Sequence, residues 1–403
     1  MAAGLPLALL SHGARFLASA VLLVILARLW PPAVFGAFAY AGALAAVLGL
    51  LAGWGLAQKV VRDAALCRAS AAAMVAASMR AQFLLLPGCG VALCAAWALG
   101  LLPDLDVLLP LFGAVVLLNL AETMAAACRG VGRFAAEAAA SAAGNAAVFA
   151  AGLAAALVWG EPRAVALALF AGRVLHAGAA LLAMRAALPA PASTGGTRLR
   201  AAAVLRTGSL FAAEAVLAGA FLQIDTVIVR VLLGDDAAGI YQAGVRFVVV
   251  GLVLAQAMAA VAIPALVGRL GDGAAFAAAA RRVLLAFAVA GLGFLVLFVA
   301  LGGPLALALY GDAYGQTAAL APLFGGVLLA RCLAAGGAIV LVAAGEQRWR
   351  LGATACAIAA FLAAAGPAAA AFGLVGIVWA NLAALALLAM LQTGRAMRHL
   401  RVF

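Results

Sequence analysis

Long apolar runs, each about the length of a bilayer crossing, alternate along the chain with short polar breaks. A helix needs roughly 20 mostly apolar residues to cross the hydrocarbon core. On that measure the runs predict about twelve helices, near 8–29, 33–57, 81–101, 105–127, 136–159, 164–187, 207–232, 237–264, 282–301, 317–344, 351–371 and 373–394. The first run has no basic stretch before His12, and a second span follows at once. It therefore reads as a membrane span and not as a signal peptide.

The longest breaks are 59–80 and 188–206. Both are too short for an independent core, so no extramembrane domain is expected. The second break, with Pro189, Pro191, Ser193, Thr194, Gly195 and Gly196, reads as a flexible linker. It divides the chain into a six-helix lobe over 1–187, a cytoplasmic linker over 188–206, and a second six-helix lobe over 207–403. Two short patterns repeat across that division. Gly36-Ala37-Phe38 enters helix 2 as Gly239-Ile240-Tyr241 enters helix 8. Gly130-Val131-Gly132-Arg133-Phe134 joins helices 4 and 5 as Gly345-Glu346-Gln347-Arg348-Trp349 joins helices 10 and 11. An even number of helices per half makes such a repeat parallel, about an axis along the membrane normal. The expected fold is all-α: a polytopic membrane protein of two six-helix lobes around a central cleft.

Composition agrees with the pattern. The chain has 403 residues, 69% hydrophobic and 9% charged. Soluble domains carry about 25% charged residues. So few charges cannot cover a water-facing surface, which excludes a soluble enzyme, a disordered chain and a nucleic-acid-binding domain. The net charge of +12 is explained by topology. With the N-terminus cytoplasmic, 18 of the 25 basic residues fall in inner loops and the tail, and only Arg28, Arg163 and Arg230 in outer loops. That bias predicts an even helix count with both termini inside. The six cysteines form no CxxC and no Cys/His cluster, so small buried hydrophobes are the expected role.

Charges inside the bilayer are expensive and point to function. Arg15, Arg173, Arg246 and Arg331 lie within spans, as do Glu122, Glu214 and Asp225. Ser11, Arg15 and Ser19 share one face of helix 1, and Gln242 and Arg246 are an i, i+4 pair on helix 8. Glu214 and Asp225, eleven residues apart, sit close to three turns apart on helix 7. Two readings of these stripes stand: interhelical ion pairs that hold the lobes together, or the lining of a cavity that meets substrate or ions. Arg173 and Arg331 divide between the same two readings. Glu122, near the inner end of helix 4, is placed to pair with Arg129 or Arg133. The sequence holds no Walker-type glycine loop, HExxH or GxSxG, and it implies no cofactor, catalytic residue or metal site. His12, His176 and His399 stand alone in sequence and read as interfacial or packed.

The run Gln223-Ile224-Asp225-Thr226-Val227-Ile228-Val229-Arg230, followed by Leu233-Gly234-Asp235-Asp236-Ala237-Ala238-Gly239-Ile240-Tyr241, resembles bacterial polysaccharide (O-antigen type) flippases. These belong to the multidrug/oligosaccharidyl-lipid/polysaccharide exporter superfamily. Tyr310-Gly311-Asp312-Ala313-Tyr314 resembles the family's turn before helix 10. Ala27-Arg28-Leu29-Trp30-Pro31 with Phe35-Gly36 resembles its first outer turn.

The resemblance implies a cleft lined by helices 1, 2, 7 and 8. It also implies an undecaprenyl-diphosphate-linked oligosaccharide as substrate, moved across the inner membrane by alternating access. Arginine forks suit diphosphate oxygens. The candidate substrate contacts are Arg15, Arg246, Gln242, Arg173 and Arg331, and the candidate coupling groups for a proton or sodium ion are Glu214 and Asp225. Membrane lipid and other polysaccharide assembly proteins are the further partners it implies. A small-molecule exporter of the same superfamily and a membrane-embedded polysaccharide assembly enzyme are the alternatives.

Overall fold

The structure is a computed structural model that describes residues 18–188 and 201–400, apart from the side chains of residues 210 and 211. Among the described residues there is no strand. The described residues form twelve helical segments: α1 Ala18–Leu29, α2 Pro32–Leu66, α3 Arg68–Ala98, α4 Leu105–Gly130, α5 Phe134–Val158 and α6 Pro162–Ala187. Then follow α7 (201–233), α8 (235–267), α9 Gly273–Tyr310, α10 Gly315–Ala343, α11 (347–372) and α12 (374–399). Two glycines provide breaks that hydrogen bonding alone runs through. Gly234, at φ 90°, separates α7 from α8, and Gly373, at φ 58°, separates α11 from α12. Both φ values lie where a Cβ is penalised, so glycine is the residue that turns the chain most cheaply there.

The helices match the apolar runs, but several are longer at their polar ends. The break expected at 59–80 is helical. α2 continues to Leu66 past a kink at Trp54 and Gly55, and α3 starts at Arg68 instead of near 81. Residues 201–206, expected as linker, open α7, and α9 starts at Gly273 instead of near 282. The reason is amphipathic continuation. In Leu56–Leu66 the apolar Leu56, Val60 and Ala64 are buried at i, i+4 and i+8, while Lys59 and Asp63 pair alongside. Residues 189–200, the greater part of the expected linker, lie outside the described residues. α9 contains one wide π turn at Phe298–Gly302, directly before Pro304, which has no amide hydrogen for a regular bond.

Packing is inverted relative to a water-soluble protein. Large apolar side chains face outward: Val91 is 71% exposed, Leu182 68% and Phe372 73%. The interior is rich in alanine and glycine, which bring helix backbones close where lipid supplies no hydrophobic drive for association. Such an exterior suits hydrocarbon and not water.

The chain divides into two compact units. One holds the described chain up to Leu22 together with Ala37–Val227, so α2 to α7 belong to it almost entirely. The other holds Leu23–Gly36 and Ile228–Phe403. Within the first, α7 is anchored on the kink of α2: Trp54 Nε1 donates to the Leu205 carbonyl at 3.2 Å, and Val204 packs with Leu56, Ala77 and Ala81. The turns predicted as repeats share one geometry. After α4, Val131, Gly132 and Arg133 donate back to Ala127, Arg129 and Cys128. After α10, Ala344, Gly345 and Glu346 donate to Val340, Val342 and Leu341 in the same order. Gly132 at φ 81° and Gly345 at φ 78° occupy the matching position of this helix-ending motif.

Candidate functional site

The first unit encloses a chain of polar groups linking α6, α5, α4, α3 and α2. It starts at Arg173 on α6, whose Nη1 donates to Asn145 Oδ1 and to His176 Nδ1, each at 2.9 Å. Arginine has only donors, so His176 accepts at Nδ1. His176 is 3% exposed, and its ring lies where a Cβ on Gly144 would sit, 2.2 Å away. Asn145 Nδ2 donates to the Ser141 carbonyl at 2.7 Å, and Ser141 Oγ donates to Glu137 Oε1 at 3.1 Å. Glu137, 2% exposed, is bound by Arg129 Nη1 at 3.0 Å, and Arg129 Nη2 reaches Glu122 at 3.4 Å.

One turn before Glu122 on α4, Asn119 Nδ2 donates to the Gly49 carbonyl at 2.8 Å. Thr123 donates to the Asn119 carbonyl at 2.8 Å and accepts from Gln82 of α3 at 3.0 Å. A buried charge survives in apolar surroundings only when paired and bonded. Here a guanidinium between two carboxylates provides the pairing, and the neighbouring amides and hydroxyls complete it.

Arg129 and Glu122 therefore pair as their spacing suggested. Glu137 is the residue that sequence reasoning missed. It lies in the first turn of α5, beside a loop, and nothing in the local pattern separates it from a solvated carboxylate. It stands eight residues beyond Arg129, across the turn that ends α4, so no helical phase links the two.

The other predicted residues have these places. Arg173 joins the network just described. Asp225, 3% exposed, accepts at Oδ1 from the amide of Thr226 at 2.7 Å. Glu214 is half-buried on α7. The helical ladder tightens between these two carboxylates, where Leu222 and Gln223 donate three residues back to Gly219 and Ala220. Their eleven-residue separation is thus not three unbroken turns.

In the second unit, Arg246 on α8 donates to the fully buried Gln242, the i, i+4 pair that the sequence predicts. Beside it runs a file of aromatic rings, Phe298, Phe247, Tyr310 and Tyr314, with successive centroids 5.4–5.8 Å apart. Tyr310 Oη donates to the Ala243 carbonyl at 3.0 Å, which fixes α9 on α8. Arg331 is half-buried on α10. Arg15, with Ser11 of its stripe, lies outside the described residues. No group of three metal-binding side chains occurs among the described residues.

The second unit has one contact of exceptional closeness. The first turns of α2 and α8 cross at Gly36 and Gly239, the two glycines of the repeated sequence pattern. A Cβ on Gly36 would lie 1.8 Å from the Asp235 carbonyl oxygen, and one on Gly239 would lie 2.0 Å from that of Pro32. Tyr314 Oη donates to the Trp30 carbonyl at 3.3 Å next to this crossing, and Arg230 pairs with Asp235 at 2.9 Å.

Comparison with solved structures defines the class. The chain is similar to a multidrug resistance MATE family transporter of the MOP superfamily in an inward-facing conformation, with a TM-score of 0.79 at 13% identity over 96% of this chain and 95% of that one. An outward-facing conformation of such a transporter matches at 0.66, with 14% identity over 98% and 95%. A MOP superfamily transporter from Pyrococcus furiosus, described as having a binding pocket of reverse polarity, matches at 0.64, with 13% identity over 98% and 95%. The fold is shared with these MOP-superfamily membrane transporters.

The particular family follows from the sequence itself. The model of the polysaccharide biosynthesis protein family matches residues 2–268, and the chain belongs to that family. No curated protein matches the sequence.

Proposed function

We propose that this protein is a flippase that moves a polyprenyl-diphosphate-linked oligosaccharide from the cytoplasmic to the outer leaflet of a bacterial inner membrane. The observation that carries this reading is the polysaccharide family match over two thirds of the chain, on a transporter fold. The substrate joins three chemistries. A diphosphate needs cationic donors, a glycan needs neutral polar groups, and a polyprenyl tail can stay in lipid. Intramembrane arginines suit the first, because guanidinium stays charged when desolvated and binds phosphate oxygens in pairs. Arg246, held by Gln242, and Arg173, held by Asn145 and His176, are arginines oriented in advance. Arg15 and Arg331 are the further candidates. The cycle is alternating access of two six-helix lobes, driven by an ion gradient or the membrane potential, with Glu214 and Asp225 as candidate coupling carboxylates.

Complementation of a flippase-null strain tests this. The wild type restores surface polysaccharide, and Arg246→Ala at equal membrane abundance restores at most about a tenth of it, the loss set by roughly 1.5–3 kcal/mol for a hydrogen bond to a charged group. Failure of a well-expressed wild type overturns the reading. A second reading, export of small molecules, is favoured by the multidrug transporters among the similar structures. It predicts resistance to cationic drugs on expression in an exporter-deficient host, where a flippase gives none.

A further inference from the structure

In the second unit α9 and α12 both pack on α10, and a groove of about 560 Å³ runs between them. One face of each helix makes a wall. Arg281, Leu285 and Ala288 recur at helical spacing on α9, and Met397 and Leu400 recur on α12, with Leu333 of α10 between them. Leu285 is 64% exposed and Met397 52%, so the groove opens to the lipid exterior.

The position of Arg281 along the chain sets its depth. It stands one residue before the apolar run 282–301, whose roughly 20 residues match a bilayer crossing. Arg281 therefore lies at the level of the lipid headgroups, and Leu285 and Ala288 lie one and two turns deeper. This end of α9 is the one that the charge bias of the sequence predicts to be cytoplasmic.

The groove has a cationic mouth without an internal counter-ion. Arg281 has no hydrogen bond or ion pair among the described residues. The two carboxylates at this end of the unit are committed elsewhere. Asp272 accepts from the Ala275 amide at 3.0 Å, and Glu346 holds Arg395 at 2.7 Å. Thr393, the other polar side chain on the wall, donates its hydroxyl to the Ala389 carbonyl one turn back. Arg282 and Arg398, both exposed, directly follow Arg281 and Met397 and add to the positive charge. A cation at headgroup depth above an apolar slot complements a molecule with an anionic head and a hydrocarbon tail. A water-borne anion would leave the apolar walls uncovered, and a zwitterionic lipid brings a cation of its own.

We propose that this groove binds an anionic phospholipid of the cytoplasmic leaflet. Its phosphate sits on the Arg281 guanidinium, whose paired donors suit phosphate oxygens, and one acyl chain runs along Leu285, Ala288 and Leu333. The lipid fills the gap between α9 and α12 and so stabilises the second unit. It is a resident ligand and not the transported one, and the site is independent of the flippase reading.

Thermal unfolding of the full-length protein in detergent tests it, with titration by phosphatidylglycerol or by phosphatidylcholine of the same acyl chains at constant ionic strength. A ligand that binds the native state raises the midpoint in a saturable way. We expect phosphatidylglycerol to raise the wild-type midpoint well above the effect of phosphatidylcholine. Arg281→Gln, and Ala288→Trp, which fills the slot, each weaken the apparent affinity by about tenfold or more. Arg269→Gln, the same loss of charge outside the groove wall, keeps it. Arg281 is exposed, so its variant carries the test if Ala288→Trp does not fold. Equal shifts from the two lipids, or an undiminished shift in Arg281→Gln, overturn the proposal. Three other occupants are separable, and each overturns it as well. An equal shift from inorganic phosphate marks a water-borne anion, and stronger binding of a polyprenyl phosphate marks the carrier's tail. Dimers that Ala288→Trp abolishes, seen by light scattering, mark an interface between two copies.

Discussion

Arg173 shows how a single residue can hold a polar cluster inside a lipid-facing helix bundle. It gives hydrogen bonds to Asn145 and His176 from one guanidinium nitrogen, and both partners are buried. Removing it leaves an amide oxygen and an imidazole nitrogen without their donor, at about 1–3 kcal/mol each for buried groups. Arg173→Leu should therefore lower the thermal midpoint of the purified protein by several degrees. Arg173→Lys, which keeps the charge but not the planar fork, should lie between Leu and wild type. If Arg173→Leu unfolds like the wild type, the network does not stabilise the unit. Arg173 was recognisable in the sequence because an arginine in an apolar run is conspicuous. Its partners were not, because Asn145 and His176 acquire meaning only when α5 and α6 lie side by side.

The elements are governed by glycine at a few positions and by amphipathic continuation elsewhere. The crossing of α2 and α8 at Gly36 and Gly239 leaves no volume for a side chain, since each Cβ would meet a backbone carbonyl at 2.0 Å or less. Backbone cannot rotate aside as a side chain can, so the helices must separate. Gly36→Val and Gly239→Val should each destabilise the second unit by about 1–3 kcal/mol, the usual range for overpacking. Limited proteolysis or thermal unfolding measures this, and Gly42→Val, where a Cβ meets nothing within 4 Å, is the control. The two glycines were visible as a repeated pattern, and the chain alone did not show that the two copies touch. The extensions of α2, α3 and α9 are helical although the apolar pattern breaks there. A charged face on a half-buried helix satisfies both environments.

At the scale of the whole molecule, sidedness can be read from one thiol. Cys67 lies between α2 and α3, outside the spans, and is exposed; Cys94 and Cys356 are exposed only within spans, where a water-borne reagent does not reach, and Cys89, Cys128 and Cys332 are buried. Hydrogen bonds with Ser70, chiefly from its side chain, hold the Cys67 thiol below the ordinary thiol range, so more thiolate is present at neutral pH. The charge bias of the sequence predicts this turn on the cytoplasmic side. A membrane-impermeant maleimide should label wild type but not Cys67→Ser in inside-out vesicles, more quickly as pH rises, and should leave right-side-out vesicles unlabelled. Labelling from the outside instead reverses the topology.

The sequence by itself determined the membrane class, the number and order of the helices, and the residues that cost energy to keep. These follow from local quantities: run length against bilayer thickness, and charge against an apolar background. Tertiary structure decided which expensive residues stand together. It placed Glu137 and Arg129 with Glu122, turned an isolated His176 into a partner of Arg173, and opened a groove beside Arg281 between α9 and α12. Hydrogen-bond satisfaction is a property of neighbours distant in sequence, so no pattern along one helix reports it.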